Sequence, residues 1–222
     1  DALACTNMLV GKKASVNGST MISYNADSHT LYGELYYTPA ADHAPGAMRK
    51  VIEWDTNKPL GEIPQPAHTY RVVGNVNEWQ VTIAESTWGG RHRLSDKNGI
   101  IDYGSLIYIA LERSKTAREA IDVMTSLVSE YGYYSSGETF SIGDPNEIWV
   151  MDLVGKGTGN TGAVWVAQRI PDDCISAHAN QARIHKFPQA KKKLNKKMNR
   201  YEVGDSCMFS ADLIPFGRTL GY

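Results

Sequence analysis

Hydrophobic and polar positions change period twice along this chain, and each change marks a different kind of element. Near the start, two β-rich runs at 6–10 and 20–24 flank Ser15-Val16-Asn17-Gly18-Ser19, a combination that predicts a hairpin. Its register decides which side chains share a face. A two-residue Asn17-Gly18 turn would send Asp27 to the side away from Cys5. A three-residue loop, Val16 to Gly18 with Gly18 left-handed, places Cys5, Asn7, Asn25 and Asp27 on one face, and this second register is the expected one. The stretch 69–88 reads as a further pair of strands around Asn75-Val76-Asn77-Glu78, with Val81 and Ile83 alternating on the returning arm.

The period then becomes helical. Leu106, Ile107, Ile109, Ala110 and Leu111 recur at helix spacing within Tyr103–Arg113. Thr116-Ala117-Arg118-Glu119 is a capping box that opens a second helix, striped by Ala120, Ile121, Met124, Leu127 and Val128 and stopped by Gly132. Strand-like runs return at 139–142, 148–153 and 163–170, joined by Asp144-Pro145-Asn146-Glu147 and by a glycine-rich loop at 155–162. Strands, a helix pair, then strands predict an α+β layered domain rather than alternating βαβ units. There is no internal repeat and no clear linker to a second domain.

Composition narrows the function classes. The 222 residues, 42% of them apolar, suffice for one substantial core. No window approaches the roughly 20 apolar residues of a membrane-spanning helix. With 23 basic against 24 acidic side chains there is no overall attraction for nucleic acid. Seven of the basic residues and no acidic one fall within 186–200, which reads as a solvated stretch rather than a nucleic-acid patch. No Cys-x-x-Cys or His-Glu-x-x-His motif is present, the six histidines are dispersed, and the 155–162 glycines lack the Gly-Lys-Ser/Thr ending of a phosphate loop. Neither metal nor cofactor is expected. Cys174 and Cys207 read either as a disulfide or as two separate small buried side chains.

Cys5 stands apart. Ala2-Leu3-Ala4 fits the small-x-small pattern read by signal peptidase, so residues 1–4 are expected to be the remnant of a signal or pro-segment, 5–222 the folded domain, and the protein exported, periplasmic or secreted. Cleavage before Cys5 would put a thiol and a free α-amine on one residue. An α-amine titrates at about 7.7–8.0, so near neutral pH it can accept the thiol's proton.

The residues that carry a resemblance begin here. Ala4-Cys5-Thr6-Asn7-Met8-Leu9-Val10-Gly11-Lys12-Lys13-Ala14, then Asn17-Gly18-Ser19-Thr20-Met21 and Asn25-Ala26-Asp27-Ser28-His29, closely resemble the start of the cysteine dipeptidases of the N-terminal-nucleophile (Ntn) hydrolase superfamily, relatives of penicillin V acylase and bile-salt hydrolase. Asn77-Glu78, Ala84-Glu85-Ser86-Thr87, Asp144-Pro145-Asn146-Glu147-Ile148-Trp149 and Ala177-His178-Ala179-Asn180-Gln181-Ala182-Arg183-Ile184 extend it through nearly the whole chain. The resemblance implies a four-layer αββα sandwich of two antiparallel sheets and hydrolysis of small peptides, without metal or cofactor, by a Cys5 that is inactive while residues 1–4 remain.

In that likeness Asp27 contacts the Cys5 amine and Asn180 helps form the oxyanion hole, while Tyr24, Asn77, Glu85, Thr87 and Arg183 line the substrate site. Tyr24 stands where the wider group often has an arginine, so a charge that could lower the thiol pKa is missing or supplied from elsewhere. The family's chains are also longer, so a C-terminal segment, or a second copy of this chain, is an expected partner beside the peptide substrate. Two other readings remain: an N-acyl amide hydrolase on the same fold, and a non-catalytic secreted binding module.

Overall fold

A strand covered on both faces reads as a nearly unbroken apolar run, and residues 137–153 and 163–167 are buried at almost every strand position. They form the centre of a large sheet. The computed structural model describes residues 4–27 and 33–222. Ala2 and Leu3 of the small-x-small pattern, and the Ser28-His29 end of the family motif, lie outside the described residues.

The chain opens with β1 (Ala4–Val10) and β2 (Met21–Asp27). Short strands follow: β3 (Tyr37–Thr38), β4 (Ala41–Asp42), β5 (Met48–Ile52), β6 (Pro59–Pro64), β7 (His68–Thr69), β8 (Val72–Val73) and β9 (Val76–Asn77). Then come the long β10 (Thr82–Gly89) and the helices α1 (Tyr103–Arg113) and α2 (Ala117–Tyr131). The remainder is β11 (Gly137–Gly143), β12 (Ile148–Gly155), β13 (Ala163–Ile170), β14 (Ile175–His178), β15 (Lys193–Asn195), β16 (Arg200–Val203), β17 (Cys207–Ser210) and α3 (Leu213–Thr219).

The large sheet runs β15-β16-β17-β13-β12-β11-β10-β9-β8-β3, and a small sheet runs β14-β1-β2. The α2 capping behaves as the sequence predicts, the Thr116 hydroxyl accepting from the Glu119 N–H and Gly132 ending the helix at φ 76°, and α1 is capped by Asp102, a residue absent from the sequence reading. One face of the large sheet, with Ile83, Phe140, Met151 and Trp165, packs on Leu106, Ile109, Ile121 and Met124 of the helix pair. On the other face Ile148 and Val150 meet Leu9 and Ile22 of the small sheet. The α+β class and the two antiparallel sheets are therefore present, and the described residues build three layers, α-β-β. The outer face of the small sheet leaves Met8, Met21 and Ile175 exposed.

The hairpin register differs from the expected one. Cys5 lies opposite Ala26 and Asn7 opposite Tyr24, so Asp27 pairs with Ala4 and sits exposed, its side chain on the sheet face away from Cys5. The reason is tertiary. Residues 11–20 form a long loop docked at both ends: the Gly11 N–H donates to the Cys174 carbonyl, the Lys13 and Ala14 N–H groups to Asp172, and the Thr20 hydroxyl to the Asp144 carbonyl. A Cβ at Gly11 would lie 2.4 Å from the Asp172 oxygen, so only glycine permits this approach. Gly18 is left-handed as expected, at φ 78°, but it does not set the register.

Two other open points resolve. Cys174 is exposed, Cys207 is buried, and both are free thiols. In the basic stretch the six lysines are exposed, whereas Arg200 turns inward to pair with Asp122 and with Glu202.

Candidate active site

The site forms where a strand runs out of neighbours. Among the described residues β10 pairs with β9 only at Thr82, and beyond it the edge away from β11 is open. An open edge presents unpaired backbone groups at alternate residues. Two asparagines from the small sheet satisfy them: Asn7 Nδ2 donates to the Glu85 carbonyl (2.7 Å) and Asn180 Nδ2 to the Thr87 carbonyl (2.6 Å). These bonds seat β1 against β10. Asn180 lies just beyond β14, where the Asn7–His178 pairing carries it level with Cys5.

Both reactive atoms of Cys5 are thereby engaged. Its N–H donates to Asn180 Oδ1 (2.6 Å), and its thiol donates to Glu85 Oε1 (3.6 Å). The Tyr24 hydroxyl donates to the same Glu85 oxygen (2.6 Å). Partner chemistry fixes the Asn180 amide, because a carbonyl demands its NH2 and an N–H demands its oxygen. Its second amide hydrogen remains for another acceptor.

A second carboxyl group stands behind the first. Glu138 lies opposite Thr87 across β10–β11 and so shares a face with Glu85. The Thr87 hydroxyl donates to Glu138 Oε1 (2.8 Å), and both glutamates are buried. Burial, reinforced by the Glu85 charge, raises the Glu138 carboxyl well above the ordinary range. Burial and then the Glu85 charge push the Cys5 thiol up to about 12, opposed by a hydrogen bond from the Thr87 backbone N–H. The resting sulfur is a protonated thiol.

Cys5, Tyr24, Glu85, Thr87 and Asn180 are thus brought together. Asp27 is not, for the register reason above. Neither is Asn77, whose side chain is consumed by structure: it donates to the Leu111 and Ser114 carbonyls and accepts from the Trp79 and Val81 N–H groups. Asn77→Ala is expected to cost about 3 kcal/mol of stability in a denaturant titration, since it strands several buried backbone groups at once. Arg183 is exposed, and its charge is felt by His178. Glu138 is absent from the sequence reading, which places Asn7 on the Cys5 face without a role in the site. The signal for Glu138 was an acid beside a strand otherwise buried throughout, hidden because the expected strand began one residue later.

His178 carries a pH dependence. It is 8% exposed, neither ring nitrogen has a partner among the described residues, and burial with the Arg183 charge lowers it from 6.5 to about 4. A depressed base destabilises the fold when it must charge, so the contribution is intact above about pH 6.5 and lost as pH falls toward 4. The loss is at most about 3 kcal/mol. Urea titrations at pH 7 and pH 4 are expected to show a smaller acid-induced drop in His178→Gln than in the parent; equal drops would contradict the assignment.

The family model for peptidase family C69 matches residues 4–43 and 38–222 of this chain. The "Probable dipeptidase" of Latilactobacillus sakei is 30% identical over 200 residues, covering 82% of this chain and 40% of that protein. The "Dipeptidase" of Bifidobacterium longum (strain NCC 2705) is 30% identical over 219 residues, with 83% and 38% covered. The "Probable dipeptidase A" of Streptococcus pyogenes serotype M3 is 28% identical over 211 residues, with 83% and 42% covered. The chain spans about two fifths of the length of these curated relatives.

Proposed function

The chain belongs to peptidase family C69, and from that premise we propose that it is the nucleophile-bearing part of a dipeptidase in which Cys5, with its α-amine freed, attacks the peptide bond. The observation that carries the reading is the separate engagement of the two reactive atoms, nitrogen by Asn180 and sulfur by Glu85.

In the chain as it stands the Cys5 nitrogen is an amide, with no basic lone pair. Cleavage of the Ala4–Cys5 bond turns it into an amine beside its own thiol. The amine takes the thiol proton as sulfur attacks the carbonyl carbon, while Asn180 Oδ1 accepts from the amine and holds it in place. This is the task that the resemblance gave to Asp27. The oxyanion is met by the second Asn180 amide hydrogen and by the Thr87 N–H. The leaving amine takes the proton, and water then opens the thioester.

Glu85 favours a substrate with a free ammonium over an N-acyl amide, since a buried carboxylate beside the thiol attracts a cation and repels neutral acyl chains only by default. The fourth layer of the Ntn sandwich belongs to the same proposal: the rest of a family-length protein would cover the exposed Met8, Met21 and Ile175 face.

The test combines N-terminal mass analysis of the protein with hydrolysis assays. Dipeptide cleavage is expected only from material beginning at Cys5. Turnover by protein verified to retain residues 1–4 would sink the mechanism, and cleavage of N-acyl amides but not of dipeptides would replace the substrate class.

A further inference from the structure

On the strand next to Cys5 opens a cavity of about 170 Å³ that no step of the mechanism above uses. Ala26 and Tyr24 form its edge on the small sheet. Ala26 is the direct cross-strand partner of Cys5 and shares its face, which puts the two Cα atoms about 5 Å apart. Tyr24 gives its hydroxyl to Glu85 and its ring to the cavity wall. Cys5 is not itself in the lining; Ala26 and Tyr24 are the residues that join the cavity to the Cys5 face.

Its far wall is aromatic and braced. Trp54 and Tyr108 stack at 4.7 Å, and Tyr36 meets both edge-on at 5.1 and 6.2 Å. The Trp54 N–H donates to Asp102, and a Cβ at Gly104 would lie 2.5 Å from the Trp54 Cβ, so the missing side chain at 104 lets Trp54 seat against α1. Tyr103, also in the wall, is tied to Asp55 through its hydroxyl at 2.8 Å. These rings are held before any ligand arrives. A dry protein cavity of about 150 Å³ accepts a benzene ring, so the space suits one phenyl or branched aliphatic group.

We propose that this cavity is the specificity pocket for the side chain of the dipeptide's N-terminal residue, and that it selects aromatic and large aliphatic side chains. The inference rests on the dipeptidase reading. The carbonyl attacked by sulfur belongs to that residue, whose Cα bears both the ammonium and the side chain. With the ammonium toward Glu85, the remaining substituent has the opening between Ala26 and Tyr24 to enter. Alanine at 26 is what leaves that opening clear.

The experiment is a kinetic panel on the matured full-length protein with X-Ala dipeptides, X being Gly, Ala, Leu, Phe or Asp. Phe-Ala and Leu-Ala are expected to exceed Gly-Ala in kcat/KM by about tenfold or more, the scale on which apolar pockets discriminate. Trp54→Ala is expected to reduce the Phe-Ala to Ala-Ala ratio by about tenfold. Should that variant fold poorly, Ala26→Leu, an exposed strand position at the entrance, is expected to reduce the same ratio by narrowing the opening. Cleavage of the whole panel without preference, or a ratio unmoved in Ala26→Leu, overturns the pocket and leaves the dipeptidase reading standing. Cleavage of none of the panel by protein shown to begin at Cys5 overturns both.

Discussion

Cys5→Ala is expected to lower dipeptide hydrolysis by about four orders of magnitude or more, the scale seen when a covalent nucleophile is removed, while the melting temperature changes little. The reason is specific to this site. Because burial and Glu85 push the thiol up to about 12, the resting sulfur is held as a protonated thiol and no ion pair stores a thiolate in advance. Sulfur is useful only when a base on the same residue removes its proton during attack. Alanine keeps the amine and loses the attacking atom. It also keeps the Asn180 contact to the backbone nitrogen and gives up only weak bonds of the sulfur, the 3.6 Å thiol–carboxylate bond and the Thr87 N–H bond, which is why the fold should survive. A matured Cys5→Ala protein with undiminished turnover would reject Cys5 as nucleophile; a protein that fails to fold would be recognised by its lost cooperative melt and replaced by Cys5→Ser.

The parts of this molecule that sequence reading captured are those governed by local rules. The α1 span follows from its apolar period and the α2 boundaries from the Thr116 capping box and Gly132, signals that act within a turn of their own positions. The central strands follow from runs of apolar residues that have no solvent face. The register of β1 and β2 was not legible, because Gly11 and Thr20 are held by Asp172, Cys174 and Asp144, far away in the chain. That single displacement moved Asp27 off the Cys5 face and brought Tyr24 onto it. The gathering of Asn7, Asn180 and Glu85 was equally hidden as geometry, since it depends on β10 losing its neighbour after Thr82. The family motif named Cys5, Glu85, Thr87 and Asn180 without saying why they meet. The open edge supplies the reason: its free carbonyls require side-chain donors, and the two asparagines that answer also fix the Cys5 strand against it.

Asn180→Asp follows from the same geometry and separates catalysis from architecture. The substitution is isosteric, and an aspartate oxygen can still accept from the Cys5 nitrogen. The other half of the side chain changes sign: a carboxylate cannot donate to the Thr87 carbonyl, now 2.6 Å from the Asn180 nitrogen, nor to an oxyanion forming on the substrate. It also adds negative charge beside Glu85, which disfavours every step in which charge builds on oxygen or sulfur. A loss of about 10²–10³ in kcat is expected with a much smaller change in KM, as for removal of a single oxyanion donor. If Asn180 served only to pin β10, the variant would lower the melting temperature and leave kcat of the folded protein near the parent value. Measuring kcat, KM and melting temperature together therefore decides between the two. An equal fall of kcat in Asn7→Asp, whose amide bonds the Glu85 carbonyl in the same manner but lies one pair farther along the strand, would show that edge pinning rather than oxyanion stabilisation carries the effect.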